Sequence, residues 1–171
     1  MSAATDDTVE VFVGIGSNID AEKNLGLATR ELTARFGAIR TSSIYRSRAV
    51  GFDGADFLNM VVAFRTAEPP ETILAVLDRL HDLAGRAGHS EPFSSRTLDV
   101  DLLLYGASSI EDSRIRVPRE DILKYAFVLA PLAELAPDLQ HPVIGSTMAE
   151  LWAQFDRSDQ TIEKLSSALD A

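Results

Sequence analysis

The sequence predicts an α+β domain, an antiparallel sheet with helices packed on it. Two observations lead there. Short β-branched runs stop at glycine-containing turns, and stretches with apolar residues at helical spacing separate them in the order β-α-β-β-α-β. Met1 to Glu10 is polar and acidic, with too little apolar surface to pack, so residues 1–10 are expected to form a flexible N-terminus. Val11-Phe12-Val13-Gly14-Ile15 reads as the first strand, ended by a turn at Gly16-Ser17-Asn18. Asp20 is the expected N-cap of a helix to about Phe36, with Leu25, Ala28, Leu32 and Phe36 on one face and Gly37 closing it.

Ile39 to Ser47 reads as one strand, Gly51 to Ala55 as a loop, and Phe57 to Thr66 as a third strand. Pro69-Pro70-Glu71 suits a helix start, because proline is tolerated in a first turn. Ile73, Leu74, Leu77, Leu80 and Leu83 then recur at helical spacing up to Gly85. The 85–95 stretch, with its glycines, proline and serines, reads as a loop. Thr97 to Tyr105 is a strand, Ser108 to Arg116 a short hairpin return, Tyr125 to Glu134 an apolar helix and Thr147 to Phe155 a last helix. This order gives a ferredoxin-like sandwich with helices on one face and further helices appended. One domain over 11–155 and a polar tail over 156–171 complete the expectation.

A chain of 171 residues suits a single core. Its 16 basic and 26 acidic side chains give a formal charge of −10, which repels nucleic-acid backbones and anionic lipid. A phosphorylated ligand would need a local basic cluster or a metal ion. The absence of cysteine excludes disulfides and thiol chemistry. No apolar run approaches the roughly 20 residues of a membrane span, and the polar start is wrong for a secretory signal. A cytoplasmic protein is expected.

The sharpest chemical feature is Arg96-Thr97-Leu98-Asp99-Val100-Asp101-Leu102-Leu103-Leu104-Tyr105. On a strand Asp99 and Asp101 project to one face, and Leu98, Val100, Leu102 and Leu104 to the other. Two same-face carboxylates repel, and a divalent cation between them relieves that; magnesium is commonly held this way, with substrate phosphates and water completing its shell. The other reading is a solvated outer face of the sheet. Arg86 and Arg96 lie near the pair in sequence, and Arg114, Arg116, Arg119 and Lys124 follow. Together they form a candidate basic rim whose forked guanidinium groups suit phosphate, although loop arginines are also commonly just solvated.

Gly14-Ile15-Gly16-Ser17-Asn18 lacks the third glycine of a dinucleotide fingerprint and any following Gly-Lys-Ser/Thr, so its glycines are read as allowing a tight turn or the close approach of another segment. Phe57 and Asn59 share one strand face, and Phe127 sits at a helix start beside Tyr125. Two rings and an amide suit a flat heterocycle; the phenylalanines suit the core equally well. His81, His89 and His141 show no metal-ligand spacing.

In this order, Gly14-Ile15-Gly16-Ser17-Asn18, Ser42-Ser43-Ile44-Tyr45-Arg46-Ser47, Phe57-Leu58-Asn59, Arg96 to Gly106, Val117-Pro118 and Phe127-Val128-Leu129-Ala130-Pro131-Leu132 resemble the 6-hydroxymethyl-7,8-dihydropterin pyrophosphokinase family of folate biosynthesis. The resemblance runs from about Val11 to Phe155. It implies a ferredoxin-like monomer that transfers pyrophosphate from ATP to the pterin hydroxymethyl group and releases AMP. It further implies two magnesium ions on Asp99 and Asp101, with Asn59 reading the pterin edge and Phe57 and Phe127 bracketing its ring. Ser47 and Val50 fall at expected pterin contacts. Arg86 and Arg96 would steady phosphate as catalytic and ATP-binding residues, with Arg114 in support.

The departures from the family pattern cluster in the ATP-clamping loop. Gly88 and Pro92 stand where arginines are usual, Phe93 for tryptophan and Ser95 for proline. His81 stands for a glutamate, and Arg119 for the histidine after Val-Pro. Two lost charge-assisted contacts, at about 1.5–3 kcal/mol each, would slow turnover roughly 10²- to 10⁴-fold if nothing compensates. Arg119 is the candidate to reach the same phosphates. Rival expectations are a paralogue with another donor or substrate, and a non-catalytic pterin-binding protein on the same fold.

Overall fold

A computed structural model of the chain describes residues 7–48, 55–85 and 98–165. Val50, Arg86, Arg96 and almost all of the 85–95 loop lie outside the described residues. The chain begins with strand β1 (Val9–Ser17), then α1 (Ala21–Phe36), the short strands β2 (Arg40–Thr41) and β3 (Tyr45–Ser47), and β4 (Phe57–Thr66). Helix α2 (Pro70–Leu83) and strand β5 (Asp99–Tyr105) follow, with the hairpin strands β6 (Ile110–Glu111) and β7 (Arg116–Val117). Helices α3 (Asp121–Lys124), α4 (Ala126–Leu135) and α5 (Met148–Gln154) come next, and strand β8 (Ile162–Lys164) is the last element described.

The main sheet runs β5-β1-β4-β3-β8, with β2 also on β4, and every pairing is antiparallel. Counting the four strands of the expected core, the order is last, first, third, second, which is the ferredoxin-like arrangement. Strand β1 starts earlier and ends later than its sequence pattern suggested, because β4 offers it partners from Thr66 through Leu58.

Both faces of the sheet are covered, which corrects the expectation of helices on one face. Val11, Val13 and Ile15 pack with Leu25, Leu32, Ile73 and Leu77 from α1 and α2. The intervening Phe12 packs instead with Val61, Leu129, Leu132 and Met148, so the appended helices supply the second layer. The near-continuous apolar run of β4 carries this signal, since a strand buried on both faces has no polar side. Helix α4 is apolar on nearly all sides, as a helix wedged between a sheet and another helix must be. The single apolar helix expected over Tyr125 to Glu134 is preceded by a separate turn, α3, and broken from it at the extended Tyr125.

Three further expectations change. The strand expected from Ile39 to Ser47 is interrupted at Ser42, whose own N–H donates to the Val61 carbonyl at 2.9 Å while its hydroxyl accepts from the Val61 N–H at 2.9 Å. A side chain thus replaces one rung of the ladder. In β5, Val13 pairs with Leu102 but Phe12 pairs with Leu104, so Leu103 is an extra residue. Such a bulge resets the alternation, and Leu104 joins Leu103 on the α4 side rather than facing Val100 and Leu102. Lastly, part of the polar tail enters the sheet: β8 pairs with β3, and Arg46 meets Glu163 at 3.1 Å.

Asp20 does flank α1, but in a left-handed conformation and without a capping side-chain bond. Glu134 on α4 ties that helix to the β3 end of the sheet. It accepts from the Tyr45 hydroxyl at 2.7 Å and from the Ser43 N–H at 3.0 Å and hydroxyl at 2.9 Å. Burial, then the bond to Glu134 and its charge, push the Tyr45 hydroxyl well above the usual phenol range. Among the described residues no helix is long and apolar enough to cross a membrane.

Candidate active site

On the α4 side, register brings the candidate residues into one row. Asp99 lies opposite Gly16, and Gly16 lies opposite Asn59; one step along, Asp101 lies opposite Gly14. The glycines leave the sheet bare between the carboxylates and the amide. A Cβ on Gly16 would stand 2.8 Å from Asn59 Oδ1, and one on Gly14 would stand 3.3 Å from the Leu103 side chain. The expected role of these glycines, the close approach of a neighbouring segment, is therefore what the structure holds.

A cleft of about 260 Å³ opens over this row. Ser47, Phe57, Asn59, Asp99, Asp101 and Phe127 all line it, so these sequence candidates converge on one space. Asn59 is buried and donates through Nδ2 to Ser47 Oγ at 2.8 Å. That bond orients the amide, which carries a second N–H and a carbonyl oxygen for a ligand edge. Phe127 stacks on Tyr125, ring centroids 5.0 Å apart and 21° from parallel.

Three polar or aromatic lining residues were not foreseen as site residues: Tyr125, Asp121 and Arg48. Tyr125 adjoins Phe127 in sequence, and that adjacency was the available signal. Asp121 is one acid among 26 and Arg48 one base among 16, with no spacing to mark either.

Arg119 stands where β5 meets the turn into α3. Its N–H donates to the Leu103 carbonyl at 2.9 Å. Its guanidinium lies 3.6 Å from Asp101 Oδ1 through Nη2 and 3.5 Å from Asp121 Oδ2 through Nε. Burial works against the Arg119 charge, but Asp101, Asp121 and Asp99 outweigh it and hold the group above the usual arginine value.

Beyond Asp101, at the free edge of β5, lies a second hollow of about 160 Å³. Leu74 and Leu77 give it an apolar wall from α2, while His81, Arg114, Arg116 and Arg119 give it polar ones. His81 Nε2 accepts the Val100 N–H at 3.1 Å, so α2 closes part of an edge that would otherwise be open. Arg114 and Arg119 therefore border this hollow rather than the aromatic cleft, and Asp101 lines both.

A cleft with stacked aromatic rings and a hollow bordered by three arginines and two aspartates thus meet across Asp101, and the relatives of this chain are small-molecule phosphotransferases. The chain belongs to the 7,8-dihydro-6-hydroxymethylpterin-pyrophosphokinase family, whose model matches residues 12–137. It is 38% identical over 147 residues to the 2-amino-4-hydroxy-6-hydroxymethyldihydropteridine pyrophosphokinase of Synechocystis, covering 84% of this chain and 75% of that protein. The Haemophilus influenzae protein of the same name is 32% identical over 151 residues, covering 86% of this chain and 93% of that one. Among solved structures, a Plasmodium falciparum HPPK-DHPS chain with pterin and p-hydroxybenzoate superposes with a TM-score of 0.72 at 14% identity. The match covers 89% of this chain and 44% of that longer one, and it shows the shared fold.

Proposed function

We propose that this chain transfers pyrophosphate from ATP to the hydroxymethyl group of 6-hydroxymethyl-7,8-dihydropterin in folate biosynthesis. In the reaction, the hydroxymethyl oxygen attacks the β-phosphorus, the bond from that phosphorus to the α,β-bridging oxygen breaks, and AMP leaves while the hydroxyl proton is lost. The observation that carries this reading is Asp101, a wall common to the aromatic cleft and the arginine-lined hollow. Family membership and relatives named as pyrophosphokinases support it.

The residues divide the work by chemistry. Asn59, oriented by Ser47, suits the donor–acceptor edge of a pterin, and the Phe127–Tyr125 stack beside Phe57 suits its ring. The second hollow suits the nucleotide, its leucines against the base and Arg114, Arg116 and Arg119 toward phosphate. Val50, Arg86 and Arg96 retain the roles the family resemblance gives them.

The donor chemistry near Asp101 fits magnesium. Among the described residues no group of three or more His, Cys, Asp or Glu forms a cage. Magnesium is commonly held by one or two carboxylates with substrate phosphates and water, which matches Asp99 and Asp101 on one strand face. When bound, the metal supplies charge neutralisation at the phosphates. What the protein contributes is alignment and exclusion of water, which dominate catalysis when little covalent chemistry is asked of side chains.

We extend the same reading to a monomeric, cytoplasmic enzyme. The decisive experiment is AMP release from ATP and magnesium with and without the pterin. Pterin-dependent AMP is expected. Tight pterin binding with no AMP would overturn the transfer and leave a binding protein on the same fold.

A further inference from the structure

The carboxylates of Asp99, Asp101 and Asp121 border one cleft, and like charges that share a cleft repel one another. Arg119 stands against two of them. Its contacts, 3.6 Å to Asp101 and 3.5 Å to Asp121, are longer than the 2.7–2.9 Å typical of a charge-assisted hydrogen bond. This is attraction between charges without tight directional bonding. A guanidinium cannot shed its proton to relieve crowding by another cation; it can change position. Its backbone is anchored on the Leu103 carbonyl, while the side chain remains 37% exposed and also borders the arginine-lined hollow.

We propose that Arg119 is a resident counter-cation: it neutralises Asp101 and Asp121 in the metal-free protein, opposes entry of a divalent ion alone, and turns to nucleotide phosphate when metal and nucleotide arrive together. This rests on the magnesium-dependent reading above and goes beyond it. One positive charge serves two sites in sequence, so metal and nucleotide binding become coupled. Each raises the affinity for the other because each favours the same displaced position of Arg119.

The test uses the full chain and Mn²⁺ without nucleotide, followed by electron paramagnetic resonance. Arg119→Met should bind Mn²⁺ on the order of tenfold more tightly than the parent, because a nearby like charge has gone. Arg119→Lys, which restores the charge, should return the affinity close to that of the parent. Metal-free Arg119→Met should also melt lower and recover on adding Mn²⁺. Equal or weaker Mn²⁺ affinity in Arg119→Met, or no uptake by it, would overturn the proposal. Adding Asp101→Asn to Arg119→Met should abolish the gained affinity. Uptake that persists unchanged in that double variant would overturn both the proposal and the carboxylate metal site. Loss of uptake there, with Arg119→Met itself no tighter than the parent, would overturn the counter-cation role alone.

Discussion

Gly16 and Asn59 face each other across β1 and β4 so closely that a single methyl group on Gly16 would lie 2.8 Å from the Asn59 side-chain oxygen. Asn59 cannot retreat without cost, because it is buried and bonded to Ser47. Gly16→Ala should therefore weaken pterin binding by about tenfold or more while the protein stays folded, the overpacking costing about 1–3 kcal/mol. Titration with the pterin, followed by its fluorescence, checks this. Nucleotide binding measured alone should be unchanged, since the second hollow lies beyond β5.

Asp99→Asn and Asp101→Asn should each lower AMP formation by about 10³-fold or more, as expected when charge neutralisation at a transferring phosphoryl group is lost. Thermal melting should change little, because Asp99→Asn removes one of two neighbouring like charges and in Asp101→Asn Arg119 keeps Asp121 as its partner. Wild-type turnover in both variants would eliminate the carboxylate pair from the reaction.

His141 makes stability depend on pH. Its Nδ1 accepts the Val143 and Ile144 N–H groups at 3.2 Å each, which requires an unprotonated nitrogen, and burial lowers its pKa from the ordinary 6.5. With the folded value below the unfolded one, its contribution is complete above pH 6.5 and is lost as pH falls through the folded pKa. Urea unfolding from pH 7.5 down to 5 should show that decline. His141→Asn, uncharged throughout, should flatten this part of the profile.

Glu134→Ala should destabilise the fold by about 1–3 kcal/mol, since the buried Tyr45 hydroxyl and the Ser43 N–H both lose their acceptor. Urea unfolding measures the cost. Turnover of the folded fraction should stay within about twofold, because none of Glu134, Tyr45 and Ser43 lines the cleft.

Ending the chain after Gln160 should remove β8, the Arg46–Glu163 pair and the bond from Leu165 N–H to the Ile44 carbonyl. The uncovered edge of β3 should exchange its amide hydrogen faster at Arg46, which stands opposite Glu163 and alternates with Tyr45 and Ser47, whose N–H groups face β4. A lowered melting temperature is expected. Unchanged exchange at β3 would mean that β8 contributes nothing to that edge.

Local periodicity in the sequence was sufficient for the β-α-β-β-α-β order and for the pairing of Asp99 with Asp101 on one face, because alternation along a strand is a property of the strand itself. The same holds for Phe57 and Asn59. The bulge at Leu103 was not legible, since it exists only relative to β1, and with it went the facing of Leu104. Nor was the second helical layer read from the chain, although the apolar run of β4 held the clue. Strand β8 is a short polar segment whose pairing depends on the edge that β3 presents. Asp121, Tyr125 and Arg48 reach the cleft from segments whose sequences say nothing about one another. That Arg119 lies against Asp101 and Asp121 is likewise a matter of where a turn crosses the sheet edge. Sequence by itself determined the order of the core elements, the family and the acidic pair; tertiary structure decided which charges meet, because electrostatic partners are chosen by distance in space and not along the chain.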